Sequence, residues 1–314
     1  MTLSCKDLLK NYRKHNYKKI PRKLAFKGVS IKDIYNITAP FIDNGIETLA
    51  GRVESRNSEL SKVMFFQKCD ENWIHVIDSP IFNLQDPFFT KIKDELIIGG
   101  VEIYPDNTTT NDKLYSWRTV MYRGRDIFNL KLFFIGPDGM KDLRIVELNS
   151  GEIGIFSRPQ GIKGGKGKIG FTKVDTLDNL SIGIINNASI LKDLFDDSEW
   201  GGTNAVYPLF DDYVGVLGHI ACFDENKNRH YYSMSFIFDT KTYKYSDVKI
   251  LAERSDFLPG ESKRPDLSDV IFSGGMVLND KKASLYTGVS DTESQIMEID
   301  NPFIDFMKEN NKKG

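Results

Sequence analysis

Apolar and polar residues alternate along this chain in runs too short for long helices. Stretches rich in Ile, Val, Phe and Tyr are broken by Asp, Asn and Gly, the pattern that predicts β-hairpins. Segments 85–105, QDPFFTKIKDELIIGGVEIYP, and 141–161, KDLRIVELNSGEIGIFSRPQG, share one layout: an acidic head, an apolar strand, a polar turn and a second apolar strand. TNAVYPLFDDYVGVLGHIA from Thr203 and LSDVIFSGGMVLNDKKASLYTGVSD from Leu267 repeat it, with turns at Asp94-Glu95, Ser150-Gly151, Asp211-Asp212 and Asp280-Lys281. A divergent first copy, GIETLAGRVESRNSELSKVMFFQK, starts at Gly45. The heads Asp86, Asp142, Asn204 and Asp269 recur about every 60 residues, a repeat-architecture period. Five such units account for the chain. An all-β, five-bladed β-propeller would bury these hairpins without long open edges and gather one end of each first strand around a funnel. The same spacing also describes a β-sandwich.

Two stretches interrupt the strands. TLDNLSIGIINNASILKDLFDD (176–197) has helical apolar spacing in its second half, which predicts a short inserted helix there. GIKGGKGKIG (161–170) lacks the GK[ST] of a phosphate-binding Walker loop. It is either a flexible loop or one that closes over an anionic ligand. The expected organisation is a basic helical extension at 1–30, one catalytic domain at 31–305 and a tail at 306–314.

Composition narrows the function. Of 314 residues, 40% are hydrophobic, enough for a sizeable core, and the net charge is −2, too small a field to favour nucleic acid or an anionic membrane. Lys6, Lys10, Arg13, Lys14, Lys18, Lys19, Arg22, Lys23 and Lys27 make the first 28 residues basic; a solvated helix or arm is expected, with a binding tail as the alternative. Cys5, Cys69 and Cys222 are scattered and form no CxxC pair, which argues against a disulfide framework or zinc knuckle and for a reducing, cytoplasmic setting. Neither an apolar leader nor an 18-residue apolar run is present.

Metal and nucleophile motifs such as HExxH and GxSxG are missing, so no metal site is expected. What remains is carboxylates, arginines and a few histidines at strand ends, an inventory that suits sugar chemistry, where a carboxylic acid protonates a departing glycosidic oxygen. Asp86 precedes Pro87 at the head of an apolar strand. It is either a turn-closing carboxylate or that acid. Asp142, Asn204 and Asp269 head the equivalent units and are candidates for holding substrate. Lys141 and Arg158 flank one hairpin, Arg52 and Arg56 flank Glu54, and SKRPD supplies Lys263 and Arg264. Such cations either pair at the surface or grip phosphate. His219, in VGVLGHIACF, reads by itself as a core histidine.

The ordered succession YNITAPF, GRVESR, QDPFF, FSRPQG with GKIGF, EWGGTN, GHIACFD, RHYY, KRPDLSDVIFSGG and LYTGVSD resembles the DUF1861-type family. That family is related to the β-mannoside phosphorylases of glycoside hydrolase family one hundred and thirty, which are five-bladed propellers. It is also related to the β-1,2-mannosyltransferase/phosphorylases of trypanosomatid parasites. The resemblance runs from about Tyr35 to Phe303. It implies that Asp86 is the proton donor, although Gln85 stands where the related phosphorylases have Glu and Phe88 where they have Arg. It implies that Asn36 and Arg52 contact the reacting mannose, and that Lys141, Arg158, His219 and Tyr286 hold phosphate. Asp291 would bind beside mannose, and Arg118, in NDKLYSWRTV, would add a sugar contact. Gly218 replaces the Tyr of the related Tyr-His-Gly strand.

The activity so implied is inverting phosphorolysis of a β-mannoside, with inorganic phosphate as co-substrate and no further cofactor, giving α-mannose 1-phosphate. Its expected partners are a mannose-containing oligosaccharide and phosphate or a sugar phosphate, without nucleic acid or membrane; a homo-oligomer stays open. The alternatives are a GDP-mannose-dependent mannosyltransferase, an inverting hydrolase and a carbohydrate-binding propeller without turnover.

Overall fold

The computed structural model describes residues 4–15, 19–30, 32–105 and 115–311. Helix α1 (Cys5–Arg13) starts at a capping box in which Ser4 and Asp7 satisfy each other's backbone. It is docked, not solvated. Its apolar face, Leu8, Leu9 and Tyr12, enters a core with Phe236 and Phe238, while Tyr12 donates to Asp256 at 2.6 Å. The basic segment beyond it forms strands, β1 (Pro21–Lys23) and β2 (Ala25–Lys27). Lys18 of the expected basic arm lies outside the described residues.

The first strand group contains β3 (Asp33–Tyr35), β4 (Phe41–Asp43), β5 (Ile46–Glu54), β6 (Lys62–Cys69) and β7 (Asn72–His75). The second runs β8 (Gln85–Ile92), β9 (Glu95–Pro105), β10 (Tyr115–Gly124) and β11 (Lys131–Ile135). The third is β12 (Arg144–Glu147), β13 (Ile153–Ser157), then a single turn α2 (Gly161–Gly164) and β14 (Gly170–Val174), helix α3 (Ile182–Asn186) and β15 (Ser189–Ile190). The fourth is β16 (Trp200–Pro208), β17 (Tyr213–Phe223), β18 (Arg229–Asp239) and β19 (Lys249–Ala252). The last is β20 (Asp269–Asn279), β21 (Lys282–Val289) and β22 (Glu293–Asp300), followed by α4 (Ile304–Asn311). Much of the expected tail is therefore helix, with Phe306 stacked on Phe210; residues 312–314 lie outside the described set.

Each group is an antiparallel meander. β1 pairs with β22, and β2 lies parallel to β7, so the N-terminal segment supplies outer strands to the last and first groups. A two-residue parallel contact, His230↔Asp269 and Tyr231↔Val270, joins the fourth and last groups into one sheet. The four predicted hairpin turns fall between β8 and β9, β12 and β13, β16 and β17, and β20 and β21. The expected inserted helix forms earlier than its apolar spacing indicated. Ser181 caps α3 at Ile184, and β15 follows in place of a longer helix.

β8 touches β5, β12, β16 and β20, so strands of all five groups converge, and the first strand of each group is interrupted or flanked by a special residue. Asn36, Asp86 and Asp142 have φ of 46°, 47° and 58°. In the other two groups the pairing skips Asn204 and Gly274.

Candidate active site

Asp86 owes its direction to the backbone. Pairing jumps from Gln85↔Val101 to Phe88↔Gly99, a bulge at Asp86-Pro87 that turns the side chain out of the ladder. Its Oδ1 accepts from Asn36 Nδ2 at 2.7 Å and from Arg52 Nη1 at 3.0 Å. Both contacts use one oxygen, and the side chain stays 11% exposed. Arg52 also donates to Ser61 Oγ at 2.8 Å and Glu54 Oε2 at 3.1 Å, and lies 4.9 Å from the Tyr35 ring centre. Glu54 accepts further hydrogen bonds from Tyr35, Ser61 and Lys263. Lys263 thus braces the Arg52 side of the site from the last loop.

Burial pushes the Asp86 carboxyl up, but Arg52, with help from Lys141 and the Asn36 hydrogen bond, holds it below the usual carboxylate range. Asp291 behaves oppositely. Burial pushes it up to about 6 against the pull of Arg52, and the Asp86 charge adds to the rise.

Asp142 heads the neighbouring group and is sealed, with a side chain 2% exposed. Its Oδ2 lies 3.3 Å from Arg158 Nη1 and 3.9 Å from His219 Nε2, and Arg144 Nη2 is 4.0 Å from Oδ1. Burial raises this carboxyl, and Arg158, His219, Lys141 and Arg144 together overcome that and set it at about 2. Arg158 Nε donates to Gly201 O at 2.8 Å. Its Nη1 and Asp142 Oδ2 are buried without a hydrogen bond among the described residues. A Cβ on Gly202 would stand 2.9 Å from Asp142 Oδ2 and His219 Cε1, so glycine is required for this close approach. Gly167, at φ +141°, lets the glycine-rich loop pack on the Arg158 guanidinium, where a Cβ would come within 2.7 Å. The loop's lysines are tied down: Lys163 to Asn186 O, Lys166 to Ser198 O and Lys168 to Asp197.

Asn204 sits inside the structure, not at an open surface. Its Nδ2 donates to Ser273 O at 2.8 Å, which directs its oxygen to accept from His219 Nδ1–H at 2.8 Å. Burial depresses His219 to about 3, although Asp142 pulls the other way, so the ring is neutral and Nε2 keeps its lone pair. Asn204 therefore positions His219.

Asn36, Arg52, Asp86, Lys141, Asp142, Arg158, Asn204, His219, Lys263 and Asp291 thus form one network, linked by hydrogen bonds, ion pairs and mutual electrostatic influence. Three expected site residues lie elsewhere. Tyr286 is buried among Ile34, Ile37, Trp73 and Ile296, because alternation along β21 turns Thr287 toward Ser273 and Tyr286 the other way, into an apolar cluster. Asp269 sits at the start of β20, bonded to His230 Nδ1 at 2.6 Å; the counterpart of Asn204 is the bulge at Gly274. Arg118 pairs with Glu102 at 2.7 Å and lies 4.6 Å from the Tyr104 ring centre, at the rim of the second group. Arg144, Tyr35 and Ser61 went unnoticed in the sequence. Arg144, two residues after Asp142, covers the Phe88 ring at 4.2 Å and donates to Asn204 O at 2.9 Å. Among the described residues no group of three His, Cys, Asp or Glu side chains could hold a metal ion, and no helix is long and apolar enough to cross a membrane.

The profile of the family described as "Protein of unknown function (DUF1861)" matches residues 11–305. The chain belongs to the DUF1861 family. This DUF1861 protein is similar to MPT-4, a mannose phosphorylase from Leishmania mexicana solved with a phosphate ion. The two are 33% identical, with a TM-score of 0.85, over 95% of this chain and 93% of that one. MPT-1 from Leishmania mexicana, a GDP-Man-dependent mannosyltransferase, is also 33% identical, with a TM-score of 0.86 over 96% and 95% of the two chains. The β-1,2-mannobiose phosphorylase of Listeria innocua, at 14% identity, has a TM-score of 0.62 over 90% and 95%, a likeness of fold alone. No curated protein matches the chain. The resemblance read from the ordered motifs is borne out at the level of the family.

Proposed function

We propose that this chain is an inverting β-mannoside phosphorylase acting on β-1,2-linked mannose, with Asp86 as acid and Lys141, Arg158 and His219 around the phosphate. The five strand groups are read as blades of a five-bladed propeller whose catalytic domain spans 31–305. The carrying observation is a buried carboxylate that keeps one oxygen uncommitted, set across a cationic cluster from Arg158, whose Nη1 is buried, ion-paired with Asp142 and makes no hydrogen bond among the described residues.

Phosphate is itself a competent nucleophile, so the protein supplies an acid and alignment. Against the upward push of burial, Arg52 and Lys141 hold the Asp86 carboxyl below its ordinary value. Arriving phosphate would neutralise Lys141, remove part of the field that keeps Asp86 low, and so favour proton uptake on Asp86. The proton then passes to the leaving oxygen, the anomeric C–O bond breaks, and a phosphate oxygen bonds the anomeric carbon from the opposite face, giving α-mannose 1-phosphate. Neutral His219 presents an acceptor at Nε2, suited to a phosphate that still carries a proton. Asn36 and Arg52 orient Asp86, and Asp291 would meet the sugar. Phosphate is the co-substrate and no further cofactor is required.

A second reading, transfer from GDP-mannose, has its own support: identity to the phosphorylase and to the transferase is the same 33%. Hydrolysis would need a base beside Asp86, and Asp291, at about 6, is the carboxylate available for it. Free thiols at all three cysteines fit a cytoplasmic enzyme. Incubation with β-1,2-mannobiose and inorganic phosphate is expected to yield α-mannose 1-phosphate. Free mannose formed without phosphate, or turnover only with GDP-mannose, overturns this assignment.

A further inference from the structure

Cys5 opens α1 and Cys222 lies near the end of β17, far apart in sequence, yet the two share one apolar cluster. Alternation along β17 brings them together. His219 faces the cationic site, so Ile220 and Cys222 face the other way, toward Leu8 and Leu9 of α1. The Cys5 thiol donates to the Cys222 sulfur, which puts the two sulfur atoms within reach of each other. Cys5 is buried and Cys222 is half-buried, whereas the third thiol, Cys69, is exposed.

Each sulfur also has a polar neighbour. His230 stands directly across from Cys222 in the β17–β18 ladder, and its Nδ1 is held by Asp269 at 2.6 Å. Its Nε2 lies 3.5 Å from Asp224 and is buried without a hydrogen bond among the described residues. Against the downward push of burial, Asp269 and Asp224 raise His230 above its ordinary value. The bond from Cys5 and the charge on His230 hold the Cys222 thiol below its ordinary value, although burial works against them. On the Cys5 side, Glu199 Oε1 accepts from Cys5 N at 2.7 Å. Glu199 Oε2 is buried and unbonded among the described residues, a place for the proton of the adjacent thiol.

We infer that Cys222 and Cys5 form a redox site for a small-molecule disulfide, with Cys222 as the attacking thiolate and Cys5 as the resolving thiol. The Cys222 sulfur attacks one sulfur of the incoming disulfide. That S–S bond breaks, one small thiolate leaves and a mixed disulfide remains on Cys222. The Cys5 proton passes to Glu199, the Cys5 sulfur attacks the Cys222 sulfur, and the second small thiolate departs. The chain gains one disulfide, the small molecule is reduced to two thiols, and the protons given up by the cysteines end on those thiols. In a reducing compartment such a bond is transient, a sensor of oxidation and not a framework. It would staple α1 to the strand that carries His219, whichever reaction Asp86 performs.

The full chain with Cys69→Ser, incubated with glutathione disulfide, tests this by intact mass and non-reducing peptide mapping. The expected product has lost two hydrogens, retains no glutathione and yields a linked Cys5–Cys222 peptide. Its thermal midpoint should rise by about 5 °C, and dithiothreitol should reverse every change. Cys5→Ser in the same background should stop with one glutathionyl group on Cys222. His230→Gln should slow the capture about fivefold. Should Cys5→Ser fail to fold, Cys222→Ser is expected to take up no glutathione at all. A glutathionyl group that persists on Cys222 with Cys5 present, or no modification of either cysteine, overturns the proposal. An unchanged capture rate in His230→Gln overturns the activation of Cys222.

Discussion

Asp86 and Asp142 head adjacent strand groups, share the left-handed backbone and lie in a field of cations, yet they have opposite prospects. Asp86 spends one oxygen on Asn36 and Arg52 and keeps an opening to the outside. Asp142 is sealed behind Gly202, and its charge is matched by Arg158 and Arg144. A repeat supplies the same carboxylate at both positions. On the proposed reading, what separates a reacting group from an anchor is whether an oxygen is left uncommitted and accessible.

That contrast can be broken experimentally. Asp86→Asn is expected to lower kcat by about 10³-fold, within the range for removal of a general acid, with an unchanged thermal melt. Near-normal release of mannose 1-phosphate would remove Asp86 from its role. Asp142→Asn should instead cost about 3–5 kcal/mol in urea denaturation, because it leaves buried arginines without a counter-charge. A stable but inactive Asp142→Asn protein would show that the two carboxylates are not divided in this way.

Arg158→Ala is expected to raise the KM for phosphate by about 30-fold while mannoside binding changes little. Equal losses in initial-rate measurements would make Arg158 structural.

The smallest effects are in pH dependence, and they have opposite signs. Asp142 titrates at about 2 in the folded protein against 3.8 for the ordinary carboxyl, so its contribution is present above pH 4 and is lost as pH falls toward 2. Asp291 is raised from 3.8 to about 6, so the folded state holds its proton more firmly, and that stability is present at pH 4 and lost as pH rises through 6. The effects should amount to about 2 kcal/mol for Asp142 and about 3 kcal/mol for Asp291 in urea titrations at stepped pH, and Asp291→Asn should flatten the pH 4–6 portion.

Hairpins were legible in the sequence because a half-buried strand alternates and its turn needs Asp, Asn or Gly. The first unit showed only as a divergent copy, its β5–β6 hairpin, because Asn36 breaks its inner strand into β3 and β4, pieces too short to show a period. The head of the last unit was sought among acids, whereas the bulge there is the glycine Gly274. Charged β1 and β2 read as a solvated arm because outer strands bury little and carry polar side chains. Tyr286 needed the facing of β21, which motif order does not contain. Asn204 stood out as a repeat head, but its link to His219 requires two strands brought side by side. Arg144 could have been found by the two-residue alternation from Asp142.

The pairing of β1 with β22 has a consequence for how the site comes into being. Pro21 meets Met297, and Lys23 meets Gln295, so a segment made earlier waits for one made much later. Asn36 and Arg52 come from the early group, Lys263 and Asp291 from the late one. On the ribosome, the Asp86 pocket would stay an open arc through most of translation. On the proposed reading, catalytic competence would then arrive in a single late event, when β1 and β22 pair.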